Sequence, residues 1–225
     1  MNDKRLTMRV LAAMLRYPDA ALRAAVPELR AALAAEQALR KGRRVELDAL
    51  LRQLQAMDPF DAEGRYVDTF DRGRAASLHL FEHVHGDSRD RGPAMVDLGR
   101  MYERAGLLLR DGELPDHLSV VLEFASTQPE KIARDFLGEM AHILNAVFSA
   151  LSTRESHYAS VVAAVLELTG QQVQAVPVVP DEDVDDAWAE PPAFDGCSSR
   201  GQAAPGMPQP VHVVRRTPVS PGASA

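Results

Sequence analysis

Cysteine is almost absent from this chain, since Cys197 is the only one among 225 residues. A single thiol cannot close an internal disulfide, so the sequence excludes a disulfide-stapled fold and fits a reducing compartment. Long apolar runs are also missing, because Arg9 and Arg16 interrupt the amino-terminal segment. The longest uncharged run in the helical part, between Glu139 and Arg154, is shorter than the ~18 apolar residues that cross a bilayer. We therefore expect a cytoplasmic protein without an export signal or membrane insertion.

Basic charge is scarce relative to acidic charge. The chain has 25 Lys and Arg residues against 32 Asp and Glu residues, which gives a formal net charge of -7. A protein that binds nucleic acid needs a basic face for the phosphates. Nucleic acid is therefore not an expected partner.

Most motifs of the common catalytic classes are missing as well. The chain has no G-x-S-x-G nucleophile elbow and no G-x-x-x-x-G-K-[ST] phosphate-binding loop. One metal motif does occur, because residues 79–83 read HLFEH and fit H-x-x-E-H. On a helix, His79 and His83 would share a zinc ion and Glu82 would act as general base. The alternative, which we favour because no third ligand is evident, is a partly exposed helical face without metal.

Helical periodicity is abundant, and no alternating strand pattern flanked by hairpin turns occurs. We predict an all-α fold, with a single compact multi-helix domain over residues 1–170. Pro27 is expected to begin a new helix in its first turn. The helix after the loop at residues 86–88 is expected to reach Leu109, and residues 130–151 to form one amphipathic helix.

The composition changes after Gly170. Nine of the 15 prolines lie beyond position 176, with few large apolar residues among them. Such a segment buries too little surface to offset the entropy lost on ordering, so we predict that residues 171–225 form a flexible, disordered, proline-rich acidic tail. Acidic residues between Asp181 and Glu190 surround Trp188, and they form either a short docking element or, as we favour, part of a solvated tail.

Two polar segments suggest recognition. The loop at residues 86–92 reads GDSRDRG, and residues 113–117 read ELPDH at the start of another helix. Arginine side chains bind carboxylates through paired hydrogen bonds, and helix N-termini accept negative groups. Apolar side chains around such charges suit a groove that holds an amphipathic helix. The competing interpretation is that the charges form caps and salt bridges within the chain, and for Asp87 and Asp116 it has at least equal support.

These residues closely resemble the NarJ family of nitrate reductase molybdenum cofactor assembly chaperones. The matching motifs are long and chemically unusual: Tyr66-Val67-x-Thr69-Phe70-Asp71, Ser77-Leu78-x-Leu80, His83-x-x-Gly86-Asp87-Ser88-Arg89-x-Arg91-Gly92-x-Ala94-Met95 and Leu98-x-x-x-Tyr102. The segment Glu113-Leu114-Pro115-Asp116-His117-Leu118 is similar to the E-x-P-D-H motif of the wider group of redox-enzyme maturation chaperones. The resemblance covers the helical part to about Gly170.

The resemblance implies an all-helical cytoplasmic chaperone with neither enzymatic activity nor a cofactor of its own. Its implied partner is the catalytic (alpha) subunit of respiratory nitrate reductase, bound through its N-terminal peptide. The chaperone would hold that apo subunit competent for molybdenum cofactor insertion and delay its docking to the membrane subunit. Molybdenum cofactor biosynthesis proteins are further candidate partners. A zinc-dependent hydrolase built on His79, Glu82 and His83 is the alternative function.

The residues expected to bind the peptide combine the aromatic, charged and histidine positions of these motifs. They are Tyr66, Phe70, Asp71, His83, Asp87, Ser88, Arg89, Arg91, Met95, Tyr102, Glu113, Asp116 and His117. Because the charge of a histidine changes near neutrality, His83 and His117 are also expected to make peptide release depend on pH.

Overall fold

The computed structural model describes residues 4–86 and 88–178. Across these two ranges the chain forms ten helices and no strand, which confirms the predicted all-α fold. In chain order the helices are α1 (Arg5–Met14), α2 (Ala20–Glu36), α3 (Lys41–Ala56), α4 (Pro59–Phe70), α5 (Leu80–His85), α6 (Arg91–Arg104), α7 (Leu118–Thr127), α8 (Glu130–Glu139), α9 (Ala141–Thr153) and α10 (Ala159–Thr169).

Two helices form the centre of the core. Leu11 and Met14 of helix α1 are completely buried, as is Leu15 at its C-cap, and the helix packs mainly against α7 and α2. Helix α10 is buried all round from Val161 to Leu166, and it packs against α9, α8, α1 and α3. A helix that is apolar on every face has to be enclosed by other elements. Within the described ranges, no helix combines the length and the apolarity that a membrane crossing requires.

Helix α2 runs through Pro27 without a break, so the prediction that Pro27 begins a new helix is wrong. Val26 and Leu33 are both buried and hold the two halves of α2 on one face of the core. The Arg23 side chain also donates hydrogen bonds to carbonyl oxygens at the end of α3. Tertiary packing therefore keeps the proline inside a continuous helix.

Two predicted helices have different bounds in the structure. The helix expected to reach Leu109 is α6, which ends at Arg104 because Gly106 adopts a φ of 80° and reverses the chain. The single helix expected over residues 130–151 is divided into α8 and α9 at Met140. There the Met140 N–H donates to the carbonyl three residues back, a tighter turn than the α-helix allows.

The first residues beyond α10 lie along α9. The Gln174 N–H donates to Asn145 Oδ1 at 2.7 Å, and the Val176 N–H donates to Ser149 Oγ at 2.9 Å. Val173 and Val178 pack against the main core. Residues 171–178, which the sequence assigned to the tail, therefore have fixed contacts with the helical domain. The remainder of the predicted tail, with Trp188 and Cys197, lies outside the described residues.

Candidate functional site

Two loops lie side by side at the starts of α5 and α7. The Leu80 N–H donates to the Asp116 carbonyl at 3.1 Å, and the Leu118 N–H donates to the Leu78 carbonyl at 2.9 Å. Between these two bonds the structure forms an isolated antiparallel bridge. The pairing brings the histidine-rich segment at residues 79–83 next to the Pro-Asp-His segment.

Asp116 is the centre of this arrangement, and its side chain is fully buried. His79 Nδ1 donates to Asp116 Oδ1 at 3.2 Å, and the Phe81 N–H donates to Asp116 Oδ2 at 3.2 Å. The Arg91 guanidinium approaches Oδ2 to 3.9 Å. A buried carboxylate requires such partners, because its desolvation is otherwise unfavourable. Asp116 therefore caps α5 from a distant part of the chain, and its burial leaves no surface for a peptide.

Arg91 and Glu82 join the start of α6 to α5. Arg91 Nη2 donates to Glu82 Oε1 at 3.2 Å, and Ser77 Oγ donates to Glu82 Oε2 at 2.5 Å. His83 Nε2 donates to the Ser77 carbonyl at 2.9 Å. Together with Asp116, these bonds fix the relative positions of α5, α6 and α7.

The same geometry does not support the zinc alternative. His79 precedes α5 and has an extended backbone, so it does not lie one helical turn from His83. Both carboxylate oxygens of Glu82 are hydrogen-bonded within the chain. Among the described residues, no group of three or more His, Cys, Asp or Glu side chains could hold a metal ion.

The two histidines of the bridge have opposite electrostatic properties. The Ser119 N–H and hydroxyl both donate to His117 Nδ1, at 3.3 and 2.7 Å, so this nitrogen carries no proton. Burial, reinforced by the nearby His79, lowers the pKa of His117 to about 4. The hydrogen bond to Asp116 raises the pKa of His79 above its ordinary value. The expectation that His117 changes charge near neutrality is therefore wrong, and His79, which the sequence analysis did not select, has the raised pKa.

Tyr102 supports this site from beneath. Its hydroxyl donates to the Pro115 carbonyl at 2.8 Å, and its ring packs on Phe124 with centroids 4.6 Å apart. Only 2% of Tyr102 is exposed. Glu113 accepts a hydrogen bond from the Arg110 N–H at 3.2 Å, which closes the loop before α7. Both residues therefore shape the loop that carries Asp116.

Tyr66 and Phe70 lie in the main core. The Tyr66 hydroxyl donates to the Leu15 carbonyl at 2.7 Å, and the Tyr66 ring lies 4.8 Å from that of Phe70. Tyr158 packs against both rings. Tyr66 and Phe70 therefore lie on the buried face of α4, while Asp71 is exposed at the end of that helix.

Four of the predicted residues lie on or near the surface at the start of α6. Ser88 and Arg89 are exposed, and Arg91 and Met95 are half-buried. Ser88 Oγ accepts from the Asp90 N–H at 3.2 Å, which shapes the turn that leads into α6. Asp87 lies outside the described residues. Contact of any of these side chains with a peptide stays a prediction.

Three exposed aliphatic side chains on α5, α6 and the loop before α7 were not among the predicted site residues. Val84 on α5, Val96 on α6 and Leu114 before α7 are 53%, 52% and 44% exposed. Val84 and Val96 lie off the buried stripes of their helices, a signal that a helical projection of the sequence contains. Each of these exposed aliphatic side chains is available for apolar contact with a partner.

Comparison with known proteins gives consistent results. Residues 16–164 match the family model described as nitrate reductase delta subunit. The chain is 44% identical over 189 residues to the nitrate reductase molybdenum cofactor assembly chaperone NarJ of Escherichia coli strain K12, covering 83% of this chain and 79% of that protein. It is 29% identical over 168 residues to a protein of Bacillus subtilis strain 168 described as a chaperone of the same kind, covering 73% of this chain and 89% of the relative.

A solved structure has the same fold. The crystal structure of a protein from Archaeoglobus fulgidus, described as a redox enzyme maturation protein, superposes with a TM-score of 0.52 at 20% identity. The match covers 74% of this chain and 94% of that one. The named relatives are chaperones rather than enzymes. With most of its helical part matched by the family model, the chain belongs to the nitrate reductase delta subunit family.

Proposed function

We propose that this protein is a cytoplasmic assembly chaperone for respiratory nitrate reductase. It binds the N-terminal segment of the apo catalytic (alpha) subunit and keeps that subunit competent for molybdenum cofactor insertion. It also delays docking of the subunit to the membrane until insertion is complete, and proteins of molybdenum cofactor biosynthesis are further partners. The family match and the names of the relatives support this proposal.

The hydrogen-bond network around Asp116 is the observation that supports the location of the binding surface. Its bonds fix α5, α6 and α7 relative to one another, so the surface above them is preorganised. Val84 and Val96 offer apolar contacts on that surface, and Arg89 and Arg91 offer hydrogen-bond donors. An amphipathic client helix has the complementary features, because its apolar face needs burial and its C-terminal carbonyls need donors.

The energetics suit a complex that forms and later dissociates. Each Leu- or Phe-sized anchor of the client contributes about 1.5–3 kcal/mol when it is buried. Ordering a disordered N-terminal segment costs about 2–5 kcal/mol or more. Two or three anchors therefore leave a modest net binding free energy, which permits release of the completed subunit.

Calorimetric titration with a synthetic peptide of the reductase N-terminus tests the proposal. Val96→Asp and Arg89→Ala are the informative variants, because both side chains are exposed and neither supports the core. Ile132→Asp is the matched control, since Ile132 on α8 and Val96 on α6 are both 52% exposed. We expect Val96→Asp to weaken binding about tenfold or more by placing a carboxylate in the apolar contact, with Ile132→Asp unchanged.

Two results would contradict the proposal in different ways. Absence of peptide binding to the unmodified chain, under conditions where it is folded, would remove the proposed client segment. Binding that survives both Val96→Asp and Arg89→Ala would keep the client and remove the proposed surface. Tyr102 and Asp116 are unsuitable test positions, because both are buried supports whose loss would disturb the fold.

A further inference from the structure

A basic cluster stands at the start of α3, in a chain whose net charge is -7. Residues 40–44 read RKGRR, and four of these five residues are cations. The first turn of α3 contains no acidic residue, and Arg40 at the N-cap position makes no side-chain capping bond. Cations are unfavourable at the positive end of the helix dipole. A local electrostatic cost without structural benefit is typical of a functional surface.

Two of the four cations have a structural role. Arg40 Nε lies 3.1 Å from Glu167 Oε2, and Arg43 Nε lies 3.7 Å from the same oxygen. Arg43 also pairs with Glu46. These contacts tie the start of α3 to the end of α10, which accounts for both arginines.

Lys41 and Arg44 have no such explanation. Neither side chain pairs with a carboxylate in the part of the chain that the structure describes, and Arg44 Nε is buried without a hydrogen-bond partner. Both line a groove of about 370 Å³ between α2 and α3. The groove holds one carboxylate, Asp48, which already pairs with Arg30 at 2.5 Å and with Arg52 at 2.6 Å. The two unmatched cations are therefore available to a partner.

Arg30 also lines the groove, where it pairs with Asp48, and the remaining lining is apolar. Leu33 and Ala34 come from α2, and Val45, which is 60% exposed, comes from α3. Lys41 and Arg44 are three residues apart on one helix, so they share a face and their Cβ atoms lie about 5–6 Å apart. A partner that matches this surface carries one apolar side chain and carboxylates one helical turn apart.

We propose that the groove between α2 and α3 binds an acidic peptide segment of a partner protein. An aliphatic or aromatic side chain of the segment packs against Leu33 and Val45, and two of its carboxylates pair with Lys41 and Arg44. This surface shares no residue with the proposed client surface on α5 and α6, so the inference does not depend on the client. A concave groove fits a peptide better than a bilayer, and two unmatched cations are too few for the phosphates of a nucleic acid.

Fluorescence anisotropy with the full-length chain tests this inference. The probe is a labelled 12-residue designed helical peptide with one Leu flanked by Glu residues one turn apart, and its matched counterpart has Gln in place of Glu. We expect the Glu peptide to bind, and the Gln peptide to bind about tenfold more weakly or worse. Lys41→Gln combined with Arg44→Gln should raise the Kd of the Glu peptide by a similar factor. Arg104→Gln combined with Arg110→Gln removes the same charge elsewhere and should leave that Kd unchanged.

Thermal unfolding separates binding from folding roles. Because the helix dipole disfavours both cations, the Lys41 and Arg44 double variant should have an equal or higher Tm. A lower Tm would show that the cations stabilise the fold and would overturn the proposal. Equal affinity for the Glu and Gln peptides would also overturn it.

Two competing occupants are tested with the same proteins. The first is a membrane, tested with phosphatidylglycerol vesicles. If the unmodified chain binds the vesicles but not the Glu peptide, and the double variant loses vesicle binding, the cluster binds a membrane and the proposal is overturned. The chain has its own acidic run from Asp181 to Glu190, so the titration is repeated with those carboxylates replaced by amides. Peptide binding that occurs only in that variant would overturn the assignment to a partner protein.

Discussion

Asp116 organises a surface that its own side chain does not reach. Its carboxylate caps α5 and binds His79, and it lies 3.9 Å from the Arg91 guanidinium of α6. Its backbone carbonyl accepts the hydrogen bond that pairs its loop with the start of α5. The residue therefore acts as a structural support, and recognition depends on the exposed side chains that it positions.

His117 gives a prediction about pH at the scale of a single residue. Its pKa is lowered from 6.5 to about 4 by burial and by His79, so the unfolded chain binds the proton more readily. The stability contributed by neutral His117 is complete above pH 6.5 and is lost as the pH falls through 4. The raised pKa of His79 acts in the opposite sense, with stability complete below pH 6.5 and lost at higher pH. At pH 5 the His117 contribution is smaller than at pH 7 by about 2 kcal/mol.

The variant His117→Asn isolates this effect, because Asn keeps a side-chain acceptor for the Ser119 N–H and does not titrate. Urea unfolding at pH 7 and pH 5 should show a smaller loss of stability in the variant than in the unmodified chain. His142→Asn, an exposed position on α9, is the control and should not change the pH dependence. Asp116, Glu113 and Arg16 also act on His117, and they remain in both proteins. Identical pH dependence with and without His117 would contradict the assignment.

At this scale the sequence identified the right segments but not the role of each side chain. The Pro-Asp-His segment and the loop before α6 do come together. Motifs do not tell which polar residues are buried, so Asp116 and Tyr102 were selected as contacts although both are enclosed. His79, in contrast, was not among the predicted site residues. It precedes α5 and becomes a partner of Asp116 only because tertiary pairing brings the two loops together.

At the scale of the helices, periodicity predicted the elements better than local breakers did. The apolar stripes of α1 and α3 follow from residue spacing alone. Pro27 was expected to start a helix, because an interior proline removes a hydrogen bond. The packing of Val26 and Leu33 outweighs that cost in α2. The division at Met140 follows Gly138 by two residues, and this glycine, which weakens a helix interior, is a local signal that the sequence prediction did not use.

Replacing Pro27 should therefore stabilise the protein. Pro27 is exposed in the interior of α2, and Ala restores a backbone donor at a position already held in helical geometry. We expect Pro27→Ala to raise the free energy of unfolding by about 1–2 kcal/mol, less than the full helix-propensity difference because proline also restricts the unfolded chain. Urea denaturation measures the change, and Glu28→Ala on the same helix should stay within about 0.5 kcal/mol of the unmodified chain. A loss of stability in Pro27→Ala would show that α2 depends on the proline.

At the scale of the whole molecule, net charge and local charge lead to different conclusions. The net charge of -7 argued against nucleic acid as a partner, and that expectation is unchanged. The cluster at residues 40–44 nevertheless places two cations, Lys41 and Arg44, on one groove. Its other two cations, Arg40 and Arg43, have carboxylate partners among the described residues. The net charge of the whole chain does not reveal such a surface, because the basic cluster occupies only one turn of one helix.

The extent of the folded domain is a second property of the whole molecule. The sequence placed the boundary at Gly170, where helical periodicity ends. The extended segment at residues 171–178 has no periodicity, so its contacts with α9 depend on the buried polar side chains of Asn145 and Ser149. Each of these side chains also bonds to α9 itself, and a backbone N–H from the extended segment completes its hydrogen bonding.

Two shortened chains, one ending at Gly170 and one ending at Val178, measure what this segment contributes. We expect the shorter chain to be less stable by about 2 kcal/mol, since two backbone hydrogen bonds contribute about 1 kcal/mol each and the burial of Val173 and Val178 adds to them. Hydrogen exchange on the full chain gives an independent measurement, because the amides of Gln174 and Val176 should exchange more slowly than that of Ala175, for which no acceptor is found among the described residues. Equal stability of the two shortened chains, with uniform exchange across residues 171–178, would support the predicted boundary at Gly170. If the two shortened chains differ in stability but the amides of Gln174 and Val176 exchange as fast as that of Ala175, the contribution comes from the valines. Apolar burial does not slow amide exchange by itself.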